Sequence, residues 1–407
     1  MVALAALISA VRDADDGSGL VGTLPVAGRT LIERQARLAT LAGAERIVLL
    51  IERLPGGLTG AIDRLRRDGI AIDVARSAGD AADRFHPDER VLIFADGATA
   101  ALGAITRLAA GPAPALLTIG EAGPAGPFER IDAGARWAGL ALVPGDMLRK
   151  TVAMLGDWDL HSTLLRRAVG ASARRIDIAD GAGLGEPQAA MLVRSRAGAR
   201  GATEAAFAVD REGQGWPARW IYGPLARLLG GAILERPIES RWLRWAGIGA
   251  TLVALPMLAK GWLAAALLML IGGALLDATG RLLAALRLSP ASIGDRLAIG
   301  RALVMALGLL VFAWQRMHGD PTPLVLGVAT VAVMLAEARE RLALRLFGGE
   351  AGAPGWIADI DALVLLFLPF ALAQQTLAGL LALGVYAAAS FGAVQQRLLQ
   401  RAHHDAS

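Results

Sequence analysis

Short apolar runs alternate with amphipathic stretches through the first part of the chain. VALAALIS at 2–9, RIVLLIE at 46–52, IAIDVA at 70–75, VLIFAD at 91–96 and ALLTIG at 115–120 are compact apolar blocks that predict buried strands. Between them, LIERQARLATL at 31–41 and LTGAIDRLRRDG at 58–69 carry their apolar residues at helical spacing. AGLALVP at 138–144, followed by helical patterns over 146–155 and 159–169, extends the same layered unit. Strand and helix in alternation predict an α/β domain over residues 1–180, its mainly parallel sheet covered on both faces.

The pattern changes near residue 240. Residues 181–240 read as a linker rich in Gly, Ala and Arg, with one short interfacial helix at 215–229, GWPARWIYGPLARLL. Its Trp, Tyr and Arg residues suit the headgroup level of a bilayer. Beyond it, apolar stretches at 243–259, 261–280, 297–315, 322–337, 362–377 and 378–395 approach the ~20 residues that a spanning helix needs. The last two form one run that must turn near Gln374 and Gln375. The expectation is therefore a C-terminal all-α six-helix transmembrane bundle over residues 241–400.

Arginine placement then predicts orientation. With the α/β domain in the cytoplasm, connections on that side hold Arg281, Arg287, Arg296, Arg301, Arg339, Arg341, Arg345, Arg397 and Arg401. The other side keeps Lys260 and Arg316. This asymmetry places both termini in the cytoplasm and the chain in the inner membrane as a multi-pass protein. Residues 2–9 are apolar, but Asp13, Asp15 and Asp16 follow and no basic leader precedes, so they do not read as a secretory signal.

Composition narrows the chemistry. Of 407 residues, 55% are apolar and 19% charged, which suits two unlike halves and excludes extended disorder. The absence of Cys excludes disulfides, thiolate catalysis and thiolate metal sites, and 5 His residues leave little for a multi-histidine centre. A net charge of +4 gives no reason to expect nucleic acid as a partner. Membrane lipids are the partner that the apolar half implies.

The connection DATGRLLAALRLSPASIGDRLAIGRA, 277–302, resembles the CDP-alcohol phosphotransferase family. That family's motif is Asp-x-x-Asp-Gly-x-x-Ala-Arg, eight residues, Gly, then x-x-x-Asp-x-x-x-Asp. Its four carboxylates bind two metal ions that hold the pyrophosphate of a CDP-alcohol while a second alcohol attacks, and positioning and charge neutralisation dominate such chemistry. Here Asp277, Ala284 and Gly294 match. Gly280 replaces the second Asp, Arg281 the Gly, Ala285 the Arg, and Ala298 and Ala302 the last two Asp residues. One carboxylate of four remains, too few for two divalent ions. The resemblance, over residues 225–400, thus implies a substrate-binding region at Asp277, Arg281 and Gly294 with its metal site largely lost.

Arg281 lies one helical turn after Asp277, and two readings stand. The pair could be an internal counter-ion arrangement in place of the metals, or ordinary juxtamembrane charges facing water. Asp295, one turn before Ala298, is a second candidate metal ligand beside Asp277. Asp359 and Asp361 either reach the same pocket or favour the N-terminus of the fifth apolar helix. Glu337 and Arg341 read as an i,i+4 pair.

LPVAGRTLIERQARLATLAGAERIVLL, 24–50, resembles the sugar-phosphate nucleotidyltransferase family, over residues 1–175. That family's Gly-rich loop wraps a triphosphate with backbone N–H groups. The corresponding AVRDADDGSGLVG, 10–22, is acidic and lacks the family's basic residue, with Val21 where a Lys is usual. Asp96, closing a strand in VLIFADG, is either the metal-binding Asp that the resemblance implies or half of an Asp-Gly turn.

Together the two resemblances imply an origin in phospholipid or polar headgroup synthesis. The depleted motifs favour a non-catalytic or diverged partner protein; the alternative is an active bifunctional nucleotidyltransferase and CDP-alcohol phosphotransferase with unusual ligation. No cofactor is expected, or Mg or Mn if the chain is active. A CDP-alcohol or nucleotide is the ligand that the resemblances imply, and a homodimer through the membrane spans is the implied assembly.

Overall fold

The computed structural model describes residues 3–120, 128–156, 158–179, 190–208, 215–234, 238–289, 291–346 and 356–404; for 291–295, 343–346 and 401–404 it describes the backbone alone. The chain divides into two compact units, residues 1–210 with 286–288, and residues 211–285 with 289–407.

The first unit is an α/β layer. Its strands are β1 (Leu4–Ser9), β2 (Pro25–Val26), β3 (Arg29–Thr30), β4 (Arg46–Leu50), β5 (Ile72–Ala75), β6 (Arg90–Phe94), β7 (Ala98–Thr99), β8 (Ala115–Gly120), β9 (Ala135–Pro144), β10 (Arg174–Asp177) and β11 (Met191–Leu192). Seven form one sheet in the order β10-β8-β9-β6-β1-β4-β5. All neighbours run parallel except β9, which is antiparallel to both β6 and β8. The apolar blocks became strands because both sheet faces are covered: Leu7, Ile8, Val48, Ile93, Phe94 and Leu117 are all buried.

The covering helices are α1 (Leu31–Leu41), α2 (Gly56–Arg67), α3 (Ala78–Asp83), α4 (Leu102–Ala110), α5 (Gly145–Ala153) and α6 (Leu160–Gly170). Helix α1 begins in a capping box, with the Thr30 side chain accepting from Glu33 N and Glu33 Oε2 accepting from Thr30 N at 3.0 Å. The fully buried Glu33 also takes Nε and Nη2 of Arg64, each at 2.9 Å, which ties α1 to α2. Burial opposes ionisation of Glu33, but the Arg64 and Thr30 hydrogen bonds outweigh it and hold the carboxyl below its usual range.

Within the segment read as a linker, β11 and a further helix, α7 (Arg196–Ala208), belong to the first unit. Strand β11 pairs with β7, and the Thr203 hydroxyl of α7 accepts from Ala27 N at 2.9 Å. Helix α7 escaped notice because it is Ala- and Gly-rich and carries Phe207 as its one large apolar residue. Residues 181–189, 209–214 and 235–237 of that segment lie outside the described residues.

The second unit is helical. A turn of wide π pitch at Ala218–Tyr222 leads into α8 (Gly223–Leu234), where the interfacial helix was expected. Then come α9 (Ser240–Ala259), α10 (Leu263–Leu286), α11 (Ala291–Gln315), α12 (Thr322–Leu346), α13 (Ile360–Leu372) and α14 (Thr376–His404). Five of these, α9 to α12 and α14, are long and apolar enough to cross a membrane. Six spans were expected; five helices reach spanning length, and the remaining apolar stretch, α13, is shorter, its 13 residues making about 20 Å of helix against a hydrocarbon core of ~30 Å. The turn foreseen at Gln374 and Gln375 is present, with Gln374 at φ +59° between α13 and α14.

Candidate functional site

Both units hold residues singled out in the sequence. In the first, the loops after β1 and β6 flank the point where strand order reverses, since the chain leaves β1 for β4 and β5 on one side and returns through β6 on the other. Open α/β sheets place ligands at such a crevice. Here Asp96 fills that role internally: its Oδ1 accepts from Val11 N at 3.0 Å and from Arg12 N at 3.1 Å. Those are backbone donors of the kind that a phosphate would use. Of the two sequence readings of Asp96, the Asp-Gly turn is present: Gly97 has φ +79° and is packed so closely on Val193 O that a Cβ would lie 2.2 Å from it.

The acidic loop is likewise engaged. Asp13 pairs with Arg53, and Asp16 Oδ2 accepts from Arg196 N at 2.7 Å, at the start of α7. Trp137 is buried and donates its Nε1–H to Leu140 O at 2.8 Å, a packing role.

The denser cluster lies in the helical unit. Asp277 of α10 is buried. Its Oδ1 meets Arg244 Nε at 3.1 Å, and its Oδ2 meets Arg281 Nη1 at 2.9 Å and Arg301 Nη1 at 3.7 Å. Arg301, buried on α11, also holds Asp361 of α13 with Nη2 at 2.5 Å and Nη1 at 3.3 Å. Arg281, 40% exposed, reaches Asp361 at 3.9 Å. Three guanidiniums thus face two carboxylates, from four helices. These contacts also fix the direction of each helix: α9, α11 and α13 begin, and α10 ends, at one charged end. At the other end, Gln315 Nε2 donates to Ala259 O at 3.0 Å. Short as it is, α13 therefore runs from the charged end to the Gln374 turn, and α14 returns.

Gly280, one position before Arg281 on α10, makes room for Arg244. A Cβ there would lie 2.6 Å from Arg244 Cγ and 3.0 Å from Ser240 O. The Arg244 stem therefore passes across α10 where a side chain would otherwise project.

Two divalent ions do not fit these residues. The oxygens of Asp277 and Asp361 are all faced by guanidinium groups, and the five side chains carry a formal charge of +1. Among the described residues no group of three or more His, Asp or Glu side chains converges as a metal centre would need. Gly294 and Asp295 stand near the start of α11, where the backbone alone is described, so the Asp295 side chain lies outside the described residues.

Of the two aspartates before α13, Asp359 caps the helix, accepting from Ala362 N at 2.6 Å, whereas Asp361 joins the cluster. Burial, with the nearby Asp361 charge, pushes the Asp359 carboxyl up to about 6. Tyr222 is buried with its hydroxyl unpartnered among the described residues, and burial, with Asp361 next, raises its phenol well above the ordinary range. Arg244 and Arg301 were passed over in the sequence as site residues. Their signal was present, since each stands inside an apolar run, and intramembrane charges mark functional hypotheses by default.

No protein-family model and no curated protein matches the chain. Among solved structures it is similar to a nucleotidyl transferase from Methanothermobacter thermautotroptrophicus, at 15% sequence identity and a TM-score of 0.32, covering 43% of this chain and 87% of that one.

Proposed function

We propose that this chain is an integral membrane protein descended from polar-headgroup transferases, in which a fixed guanidinium–carboxylate cluster stands where a dimetal centre would work. On this reading it is a non-catalytic partner in phospholipid headgroup synthesis. The observation that carries the proposal is Asp277, buried and contacted by Arg244, Arg281 and Arg301 together. Asp277 Oδ2 makes ion-pair contacts but no hydrogen bond among the described residues, yet three guanidiniums around one carboxylate repel a cation, and seating one would mean separating buried ion pairs. The first unit supports the same reading, because Asp96 occupies the loop amides that a nucleotide phosphate would need. The arginine-rich connections gather at one end of the bundle, which supports a cytoplasmic placement of that end and of both termini.

The test uses the full chain in phosphatidylcholine nanodiscs, with Asp277→Asn as control. Expected is no Mn²⁺ binding that depends on Asp277, and no CMP release from CDP-alcohols. Metal-dependent CMP release that Asp277→Asn abolishes would defeat the proposal. One observation favours the alternative of an active transferase: Asp277 and Asp361, from separate helices, approach one another through Arg301. Movement of Arg301 together with the half-exposed Arg281 would leave two carboxylates facing each other, and the same assay distinguishes the readings.

A further inference from the structure

Inside the helical unit lies a cavity of about 310 Å³, roughly twice the ~150 Å³ that accommodates a benzene ring. Its walls come from α9 to α14 and are almost wholly apolar. It follows α11 from Ala302 to Phe312, ten residues or about 15 Å. Phe312 and Phe367, whose rings meet edge to face at 5.4 Å, line it away from its polar residues. One end is polar, lined by Glu337, Arg341 and Asp359.

That polar end has an unmet need. Glu337 is 1% exposed. One of its oxygens pairs with Arg341, which also donates to Ala358 O at 2.7 Å. The other, Oε2, is buried without a hydrogen-bond partner among the described residues. A buried acceptor left unsatisfied is costly, and it asks for a donor. Two carboxyl groups beside one guanidinium disfavour an anionic head at this end.

The route in is apolar as well. Leu303 of α11 and Leu335 of α12 both line the cavity, yet are 60% and 58% exposed. They stand on helices of spanning length, so the cavity opens through side chains that a bilayer would surround. An occupant arriving that way is itself a lipid.

We propose that this cavity binds a lipid alcohol: an apolar chain lying along α11 with an uncharged hydroxyl head donating to Glu337 Oε2. Arg341 keeps Glu337 charge-compensated, so the head need bring a donor and no charge. The long apolar barrel, with the aromatic pair in its wall, takes the chain. The inference stands apart from the metal question and holds whether or not the Asp277 cluster is catalytic.

The test is photolabelling of the full chain in phosphatidylcholine nanodiscs with a diazirine-bearing monodecanoylglycerol, competed by unlabelled 1-decanoylglycerol or by decanoate. Expected is labelling concentrated on cavity-lining positions of α11 and α12, with the alcohol at least tenfold the better competitor. Glu337→Leu should weaken that competition about tenfold, and Leu309→Trp, which fills the cavity, should abolish the labelling. Should Glu337→Leu not fold, Glu337→Gln keeps the shape with a weaker acceptor and should weaken it several-fold. Labelling spread evenly over outward-facing residues would overturn the proposal. So would equal competition by decanoate, or labelling indifferent to the Glu337 and Leu309 variants.

Discussion

Arg301→Met is the sharpest perturbation of the helical unit. The guanidinium is buried, makes two contacts with Asp361 at 2.5 and 3.3 Å, and lies 3.7 Å from Asp277. Methionine keeps much of the apolar stem and removes the charge. Asp277 retains Arg244 and Arg281, but Asp361 is left with Arg281 alone at 3.9 Å. Removing one partner of a buried pair costs about 3–5 kcal/mol, because the other charge stays desolvated. Replacing both partners by apolar groups of similar volume is often close to neutral. Arg301→Met with Asp361→Leu should therefore recover most of the loss, a coupling of at least about 3 kcal/mol between the two positions. The assay is reversible unfolding in mixed micelles titrated with dodecyl sulfate, followed by circular dichroism, on the wild type, both single variants and the double. A single-variant loss below about 1 kcal/mol, or additivity within about 0.5 kcal/mol, would refute the buried bridge.

Three further outcomes follow from other sites. Gly280→Ala should destabilise the helical unit by about 1–3 kcal/mol in the same titration, because its methyl group would sit 2.6 Å from Arg244 Cγ; Gly280→Asp should do at least as much and gain no Mn²⁺ affinity. Glu33→Gln should cost about 2 kcal/mol, the worth of its charged hydrogen bonds, read from hydrogen exchange in α1. The Glu33 carboxyl is held below its unfolded value of 4.5, so its stabilisation is present above that pH and lost as pH falls through the lowered value; wild-type protection in α1 should drop there and that of Glu33→Gln should not. Asp96→Ala should release Val11 N and Arg12 N, visible as faster exchange at those amides with little change in β1 and β6.

Much of the framework was legible along the chain because it depends on periodicity. The strand blocks, α1 with its Thr30–Glu33 box, the turn at Gln374 and the long apolar helices all carry their signal within a window of a few residues. The antiparallel β9 and the Ala-rich α7 were not legible that way. A strand's direction depends on which edge it joins, and α7 has few large apolar residues and is placed by contacts such as Thr203 to Ala27. The length of α13 was misjudged for a related reason, since its apolar run is continuous with that of α14 and composition alone could not locate both ends.

Sequence by itself determined that this chain has an α/β half and an apolar helical half, and that Asp277 and Arg281 stand one helical turn apart. Only the tertiary structure decided what stands beside Asp277 instead. Arg244, Arg301 and Asp361 are 33, 24 and 84 residues away along the chain, by their numbering. They meet because α9, α10, α11 and α13 all bring one end to the same place. Local spacing could propose Arg281, one turn away on the same helix. Distant charges converge only when helix packing removes the water that would otherwise screen them, and that packing is a property of the whole bundle.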